Sequence, residues 1–434
     1  MTTEWEVQRL RGGIRGEEAA VSEIVITVEP GAREVMETLR AAGHLAYAVG
    51  GCVRDSLLGK TPHDWDITTS ARPEQVLALF GERRCIPTGL KHGTVTVRAQ
   101  GGFYEVTTFR TESGYADGRH PDSVAFIGEV GGDLARRDFT VNAMAYADGE
   151  GLVDPFGGRE DLLVRHVMRA VGEPERRFGE DALRILRLFR FGARLGFALE
   201  ENTLRAALAL RGGLLRVSAE RIREELTGLL AAPAPAAYLP EEIAEVILPE
   251  LVKSGGFAQA MRRVDAADGR VRLAALLAGL GEGAQDVLRR LRFDNRTVAS
   301  VSELVRLAAL EPCAGEAALL AQARRLLGET GMEQAERLAL LRAAQRAAGE
   351  ERGDLSPLLE QMRAAAARGD CCRVAELAVG GRELSQALGR APGPWTGHLL
   401  AALLDRVIGG TLPNDREALL AAAADDEKIT DPRE

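Results

Sequence analysis

The sequence predicts an α+β protein: a mixed α/β head followed by an all-helical remainder. Short apolar runs bounded by turn residues, namely AYAVG, DWDITT, GTVTVRA and FYEVTTF, alternate with helical stretches between Ala46 and Phe109. After Phe156-Gly157-Gly158 the strand patterns stop, and the chain becomes rich in Ala, Leu and Arg at 3.6-residue spacing. The 434-residue length suits two to four packed units, as this division requires.

Breaks in the pattern divide the chain into five segments. Residues 1–27 are polar without an apolar period and predict a loose N-terminal extension. The head is predicted over 28–164, and its first helix over Ala32 to Ala42, ending at Gly43. Proline-containing breaks near 232–235 and 311–312 divide the helical part into a neck (165–232), a body (233–312) and a tail (313–434).

Composition narrows the class of protein. Hydrophobic residues make up 46% and charged residues 27% of the chain, which is typical of soluble globular proteins and excludes disordered, collagen-like and membrane-embedded classes. No run approaches the roughly 18 apolar residues of a membrane span. The acidic N-terminus also lacks the basic-then-apolar order of a signal peptide. A cytoplasmic location with no membrane partner is therefore predicted.

Charge and cysteine usage restrict the site chemistry. The five cysteines show no CxxC spacing and the six histidines do not cluster, so any metal is expected on carboxylates. The net charge of −9 argues against indiscriminate binding of nucleic acid. Residues 165–232, however, carry 13 arginines against 9 acidic residues, which makes the neck locally basic.

A glycine turn follows the first predicted strand. Gly50-Gly51-Cys52-Val53-Arg54-Asp55 leads into a helical pattern and places glycine amides and an arginine at a helix start. Backbone amides and a guanidinium in that position bind phosphate. The alternative interpretation is a tight strand-to-helix turn that requires glycine for its conformation alone.

Three acidic residues form the candidate catalytic group. Asp64-Trp65-Asp66 is predicted on a strand, which directs both carboxylates to one face and Trp65 into the core. Glu105 lies among apolar neighbours on a nearby strand, where burial of an unpaired carboxylate would be costly. A divalent cation held by carboxylates and substrate phosphates would compensate this charge, as in nucleotidyl transfer. The alternative for an isolated DxD is a solvated strand edge.

Eight ordered motifs resemble the class II tRNA nucleotidyltransferase and bacterial poly(A) polymerase family. The resemblance is strong from about residue 30 to residue 232 and weaker in the tail, at Gly380-Gly381-Arg382-Glu383-Leu384. The motifs are Gly50-Gly51-x-Val53-Arg54-Asp55, Asp64-x-Asp66, Thr88-Gly89-x-Lys91-His92-Gly93-Thr94, Glu105-Val106-Thr107-Thr108-Phe109-Arg110, Arg136-Arg137-Asp138-Phe139-Thr140-Val141-Asn142-Ala143, Asp154-Pro155-Phe156-Gly157-Gly158, Arg177-Phe178-x-Glu180-Asp181-Ala182-Leu183-Arg184 and Ser218-x-Glu220-Arg221-Ile222.

The resemblance implies a nucleotidyltransferase-type head and a role for each matched residue. Asp64 and Asp66 would hold two Mg²⁺, and Glu105 would deprotonate or orient an RNA 3′-hydroxyl. The nucleotide would be bound by the glycine turn and by a second motif, through Gly50, Gly51, Arg54, Arg137, Asp138 and Asn142. For Arg136-Arg137-Asp138 an ordinary salt bridge at a helix start is the alternative.

An arginine stripe marks the neck. Asp181, Arg184, Arg187, Arg190 and Arg194 recur at three- and four-residue spacing and are predicted to share one helix face. From the residues alone, a solvated face paired with nearby acids and a polyanion site are equally compatible with this pattern. The resemblance implies that Asp181 and Arg184, with Arg187 and Arg190 nearby, read the base edge of CTP or ATP.

The implied activity is template-independent addition of CCA to the 3′ end of tRNA, with CTP and ATP as substrates and release of pyrophosphate. The stretch Thr111 to His120 is predicted to be a mobile loop. The resemblance implies that a chain with this loop does not add CC alone. The alternatives are A-only addition to tRNA ending in CC, poly(A) polymerase and, from a different class, a non-catalytic RNA-binding protein.

Overall fold

The protein was analysed as a computed structural model that describes residues 25–114 and 123–430. These residues form two compact units, the first ending at Gly172 and the second beginning at Glu173. The predicted N-terminal extension, residues 1–27, lies almost entirely outside the described residues. No helix in the described part of the chain is both long enough and apolar enough to cross a membrane.

The first unit contains the mixed sheet. Its first helix confirms the prediction from Ala32 to Ala42 within two residues and ends before Gly43, whose φ is +86°. The elements are α1 (Pro30–Ala41), β1 (Ala46–Val49), α2 (Gly51–Leu57), β2 (Ile67–Thr69), α3 (Pro73–Phe80), β3 (Cys85–Gly89), β4 (Thr94–Ala99), β5 (Gly102–Thr108), β6 (Arg110–Ser113), β7 (Ser123–Phe126), α4 (Val130–Ala135), β8 (Ala145–Ala147), β9 (Gly151–Val153), α5 (Gly158–Glu160) and β10 (Val167–Met168).

Within the described residues of this unit, seven strands form one sheet in the order β3-β4-β5-β2-β1-β8-β9. Only β2 and β5 run parallel; the other neighbours are antiparallel. The parallel pair aligns Ile67 with Val106 and therefore brings the residue before β2 beside Glu105. The four predicted strand segments are confirmed, but Asp64 and Asp66 precede β2 instead of lying on it.

The two faces of the sheet differ in burial. Side chains that alternate along β4 and β5, such as Val95, Val97 and Val106, are buried. Helix α1 packs close to β5, because a Cβ at Gly31 would lie 2.2 Å from the Tyr104 hydroxyl. The opposite side chains of β5, including Glu105, remain exposed.

Strands β6 and β7 form a separate hairpin. Arg110 pairs with Phe126 and Ser113 with Ser123 across it. The predicted loop from Thr111 to His120 therefore starts inside a strand, and its residues 115–120 lie outside the described residues.

The second unit is almost entirely helical. Helix α16 contains a break at Gly331, where φ is +76°. The elements are α6 (Pro174–Glu180), α7 (Leu183–Leu195), β11 (Ala198–Leu199), α8 (Glu201–Ala209), α9 (Ala219–Leu230), α10 (Glu241–Ile247), α11 (Pro249–Lys253), α12 (Phe257–Ala266), α13 (Arg272–Leu277), α14 (Gly283–Arg290), α15 (Asn295–Leu307), α16 (Glu316–Ala347), α17 (Ser356–Arg368), α18 (Gly381–Ala387), α19 (Pro394–Ile408) and α20 (Arg416–Thr430). The predicted α+β class is confirmed, with β10 and β11 as two-residue strands that the helical pattern did not predict.

The Asp154-Pro155-Phe156-Gly157-Gly158 motif is a backbone turn. The Asp154 carboxylate accepts hydrogen bonds from the amides of Gly158 (2.7 Å) and Arg159 (2.9 Å). Gly157 has a φ of +69°, and a Cβ at Gly158 would lie 2.1 Å from the Thr140 carbonyl oxygen. Only glycine fits at residue 158, since the obstructing atom belongs to the backbone.

Gly158→Ala should lower the free energy of unfolding by about 1–3 kcal/mol, because the added methyl group overpacks against the Thr140 carbonyl. Gly128→Ala is the matched control, since nothing lies within 4 Å of a Cβ there. Urea unfolding followed by circular dichroism measures both variants. Equal midpoints for the two variants would show that the turn tolerates a side chain.

Candidate functional site

Gly50 occupies a conformation that only glycine adopts readily. Its φ and ψ are +79° and −122°, and its amide donates to the Met144 carbonyl at 3.1 Å. A Cβ at this position would lie 2.7 Å from Arg137 Nη1. Gly51 then begins α2. The turn that the sequence predicts is therefore present, and it brings the first motif into contact with Arg137.

Arg54 points into the protein. Its residue is only 3% exposed, its Nε and Nη2 lie 2.8 and 2.7 Å from Asp55 Oδ1, and its Nη1 donates to Asn142 Oδ1 at 2.7 Å. Asn142 Nδ2 donates to Asp138 Oδ1 at 3.3 Å, and the same oxygen accepts from the Phe139 amide. Three of the predicted nucleotide-binding residues thus form one buried hydrogen-bonded chain.

The three predicted catalytic acids lie near the N-terminal end of β2, with Glu105 on the neighbouring strand β5. The Val49 amide donates to the Asp66 carbonyl at 3.0 Å, so pairing with β1 continues one residue beyond β2. Removal of surrounding water raises the pKa of the Asp66 carboxyl; Arg137 opposes this shift, while Glu105 and Asp64 add to it. Asp66 is nevertheless exposed by surface area, so this carboxylate is both crowded by protein and open to a ligand.

The prediction that Glu105 is buried among apolar neighbours is wrong, although Glu105 does lie beside Asp66, as expected. Glu105 is exposed and not buried among apolar neighbours, because those neighbours, Tyr104 and Val106, point to the opposite face of β5. Trp65 is 5% exposed and packs in the core as predicted. Cys52 is also buried, and burial together with the Asp66 charge raises the pKa of its thiol to about 11.

Asp133, a residue of α4 that the sequence analysis did not identify, connects α4 to β2. It is fully buried and accepts from Thr68 Oγ1 at 3.2 Å and from Arg136 Nε at 2.9 Å. Its Oδ2 lies 3.7 Å from Arg137 Nη2. Burial lowers the pKa of the Arg137 guanidinium, and the Asp133 charge opposes that shift. The signal was the i, i+3 and i, i+4 spacing of Asp133 to the two arginines.

The carboxylates at β2 suit a hard cation, since oxygen ligands are what such ions prefer. A positive ion beside Asp66 would also offset the repulsion among the three acids. Within residues 25–114 and 123–430, no group of three or more His, Cys, Asp or Glu side chains is arranged to hold a metal ion by itself. A cation beside Asp66 would therefore need further ligands from substrate and water.

In the second unit the predicted base-reading residues are paired with other side chains. Asp181 lies just before α7 in an extended conformation. The prediction that it shares a helix face with the arginines is therefore wrong. Its carboxylate accepts from Arg221 Nη2 at 2.7 Å. Arg184 Nη1 donates to Glu180 Oε2 at 2.7 Å and to the Arg177 carbonyl.

The arginine stripe itself is present. Arg184, Arg187 and Arg190 are partly exposed, whereas the residues between them are buried. Arg190 Nε forms an ion pair with Glu225, and the guanidinium carbons of Arg187 and Arg190 lie 5.1 and 4.1 Å from the Phe191 ring centroid. Of the two interpretations of the stripe, pairing with nearby acids therefore holds for Arg184 and Arg190. The sequence motifs did not identify Glu225 as the partner of Arg190.

Sequence models of known families match three stretches of the chain. Residues 46–168 match the "Poly A polymerase head domain", residues 196–253 the "Probable RNA and SrmB- binding site of polymerase A", and residues 269–423 the tRNA nucleotidyltransferase domain 2. Fold and matches together define a nucleotidyltransferase of the poly(A) polymerase class.

Comparison with individual proteins identifies the family within this class. The chain is 37% identical over 394 residues to the CCA-adding enzyme of Geobacillus stearothermophilus, covering 89% of this chain and 94% of that protein. It is 38% identical over 405 residues to the one of Limosilactobacillus fermentum, covering 91% and 96%. The crystal structure of the Bacillus stearothermophilus CCA-adding enzyme in complex with CTP superposes with a TM-score of 0.77 at 35% identity, covering 93% and 99%. The chain belongs to the family of CCA-adding enzymes, and the family resemblance is confirmed.

Asn142→Ala should destabilise the first unit by about 1–3 kcal/mol, because it leaves the buried Arg54 guanidinium short of an acceptor. Asn202→Ala is the control, since Asn202 is exposed and accepts a single 3.3 Å bond from Arg205. Thermal unfolding monitored by calorimetry would compare the two variants. An unchanged midpoint for Asn142→Ala would mean that the chain from Arg54 to Asp138 does not stabilise the fold.

Proposed function

We propose that the protein adds CCA to the 3′ end of tRNA, using CTP and ATP and releasing pyrophosphate. The observation that carries this proposal is the meeting of Asp66 and Glu105 in a chain 37% identical to a CCA-adding enzyme over nearly all of its length. The cytoplasmic location predicted from the sequence agrees with a tRNA substrate.

The reaction is in-line attack of the RNA 3′-hydroxyl on the α-phosphorus of the nucleotide. Glu105 is exposed beside Asp66, and its carboxylate accepts the hydrogen of the 3′-hydroxyl and orients that oxygen for attack. The positive charge of Arg137 offsets the negative charge of Asp66.

Enzymes of this class use a divalent metal, and we propose Mg²⁺ held by Asp64 and Asp66. When bound, Mg²⁺ neutralises the charge that develops on the phosphates and on the attacking oxygen. The fit rests on the oxygen donors at β2 and on the position of Glu105 beside Asp66, where a cation would offset the repulsion between the carboxylates.

Base choice is assigned to Asp181 and Arg184. A carboxylate accepts from the exocyclic amino group that cytosine and adenine share, and a guanidinium donates to ring acceptors. Guanine and uracil present the opposite pattern and are refused. Arg187 and Arg190 add positive charge along the same helix. Gly50, Gly51, Arg54, Arg137, Asp138 and Asn142 are proposed to shape the triphosphate and sugar site, with Arg54 acting through Asn142.

Purified protein with Mg²⁺ should extend tRNA transcripts that end before CCA, after C and after CC, each to the complete CCA end. Gel resolution of labelled products measures this. Asp66→Asn should abolish incorporation with tRNA binding retained, whereas Asp148→Asn, an exposed aspartate paired with Arg33, should extend normally. Extension of the CC-ended transcript alone would reassign the protein to A-only addition. Long A tracts would indicate a poly(A) polymerase, and binding without extension would indicate an RNA-binding protein.

Arg184→Ala should reduce the preference for CTP over UTP by roughly 5- to 150-fold, since a lost bidentate or paired contact to a base edge has that value. Competition between labelled CTP and UTP on one transcript measures the preference. Arg194→Ala is the matched control, because Arg194 is exposed near the end of α7. An unchanged ratio for Arg184→Ala would remove this residue from base selection.

A further inference from the structure

The exposed face of β3, β4 and β5 carries more than the Glu105 carboxylate. Phe103 lies two residues before Glu105 on β5 and is 63% exposed on the same face. Ile86 on β3 is 47% exposed. Single exposed apolar residues are common on protein surfaces, but here an aromatic residue lies two positions, about 7 Å along the strand, from a candidate catalytic glutamate.

The strand register surrounds Phe103 with polar partners. Arg98 on β4 is directly opposite Phe103, and Thr96 is directly opposite Glu105. Directly opposed side chains on one face have Cβ atoms about 5 Å apart, so Arg98 and Phe103 are neighbours on this face. Arg98 is exposed, and its side chain forms no ion pair with any residue in 25–114 or 123–430.

This combination matches the chemistry of a single-stranded RNA end. Proteins bind such ends by stacking bases on exposed aromatic rings and by pairing phosphates with arginine. The face is too polar for the core of a protein interface, because threonines and a carboxylate separate its two apolar residues. A stacking surface also tolerates every base, which suits an end whose last base changes at each addition.

We propose that Phe103 and Arg98 bind the 3′ end of the RNA primer, with the ring stacked on one of its last two bases and the guanidinium on the adjoining phosphate. The proposal rests on the proposed function, in which Glu105 orients the terminal 3′-hydroxyl. Because Phe103 and Glu105 share one face and one strand, a terminal nucleotide touches both.

Phe103→Ala should raise the KM for a transcript ending before CCA by roughly 5- to 150-fold and leave the KM for CTP unchanged. Phe103→Tyr keeps the ring and should behave as the wild type. Val164→Ala is the matched control, since Val164 is 70% exposed but lies off the sheet. An unchanged transcript KM for Phe103→Ala would overturn the proposal.

Transcripts that lack the last or the penultimate base separate stacking from a general loss of structure. The wild type should lose affinity for one of them by the same factor that Phe103→Ala loses on the intact transcript, and Phe103→Ala should lose nothing further. Additive losses on both transcripts would show that the ring contacts neither base. Equilibrium binding gives the same comparison if the wild type adds no nucleotide, so a failed function and a failed stacking site remain distinguishable.

Arg98→Gln should lower the salt dependence of transcript binding by a slope of roughly 0.7, as expected for one phosphate contact on a single strand. An unchanged slope would remove Arg98 from the site. Sedimentation of Phe103→Ala and wild type should give the same mass. A mass that falls in the variant would assign the face to a second copy of the chain and overturn the RNA proposal.

Discussion

The negative charge gathered beside Asp66 is the constraint on which the rest of the first unit depends. Crowding by protein and the charges of Glu105 and Asp64 all disfavour its ionised form, and Arg137 favours it. Arg137 is itself buried in part, and its Nε finds no hydrogen-bond acceptor among the described residues. It is stabilised through Asp133, which also binds Thr68 of β2. Asp133 therefore links α4 to the central strand β2 and to the charges around Asp66.

The same requirement explains why motif residues far apart in sequence meet. A buried guanidinium costs several kcal/mol unless its donors are paired. Arg54 follows the glycine turn, and it meets this requirement with Asp55 and with Asn142, which lies 88 residues further along the chain. The two motifs that are predicted to bind the nucleotide are thus joined by hydrogen bonds into one structural unit.

The sequence predicted those features of the fold that depend on the local alternation of apolar residues. The strands were predictable because apolar alternation is local, and Trp65 was placed in the core on that ground alone. The exposure of Glu105 was not predictable, since it depends on which face of β5 the helices cover. Neither was the pairing of Asp133 with Thr68, because a contact over 65 residues leaves no periodic signal. The predicted roles of the site residues remain predictions, whereas the class of fold is confirmed.

The pairing of Asp181 and Arg184 in the second unit bears on how a protein template selects a base. Under the proposed function, a nucleotide must compete with Arg221 for Asp181 and with Glu180 for Arg184. Only a base that supplies both a donor and an acceptor at the right edge compensates both exchanges; a base with the opposite pattern leaves charged groups without partners. The existing ion pairs lower the affinity for every nucleotide by the same amount, and discrimination arises from the charged groups that an incorrect base leaves without partners in the complex.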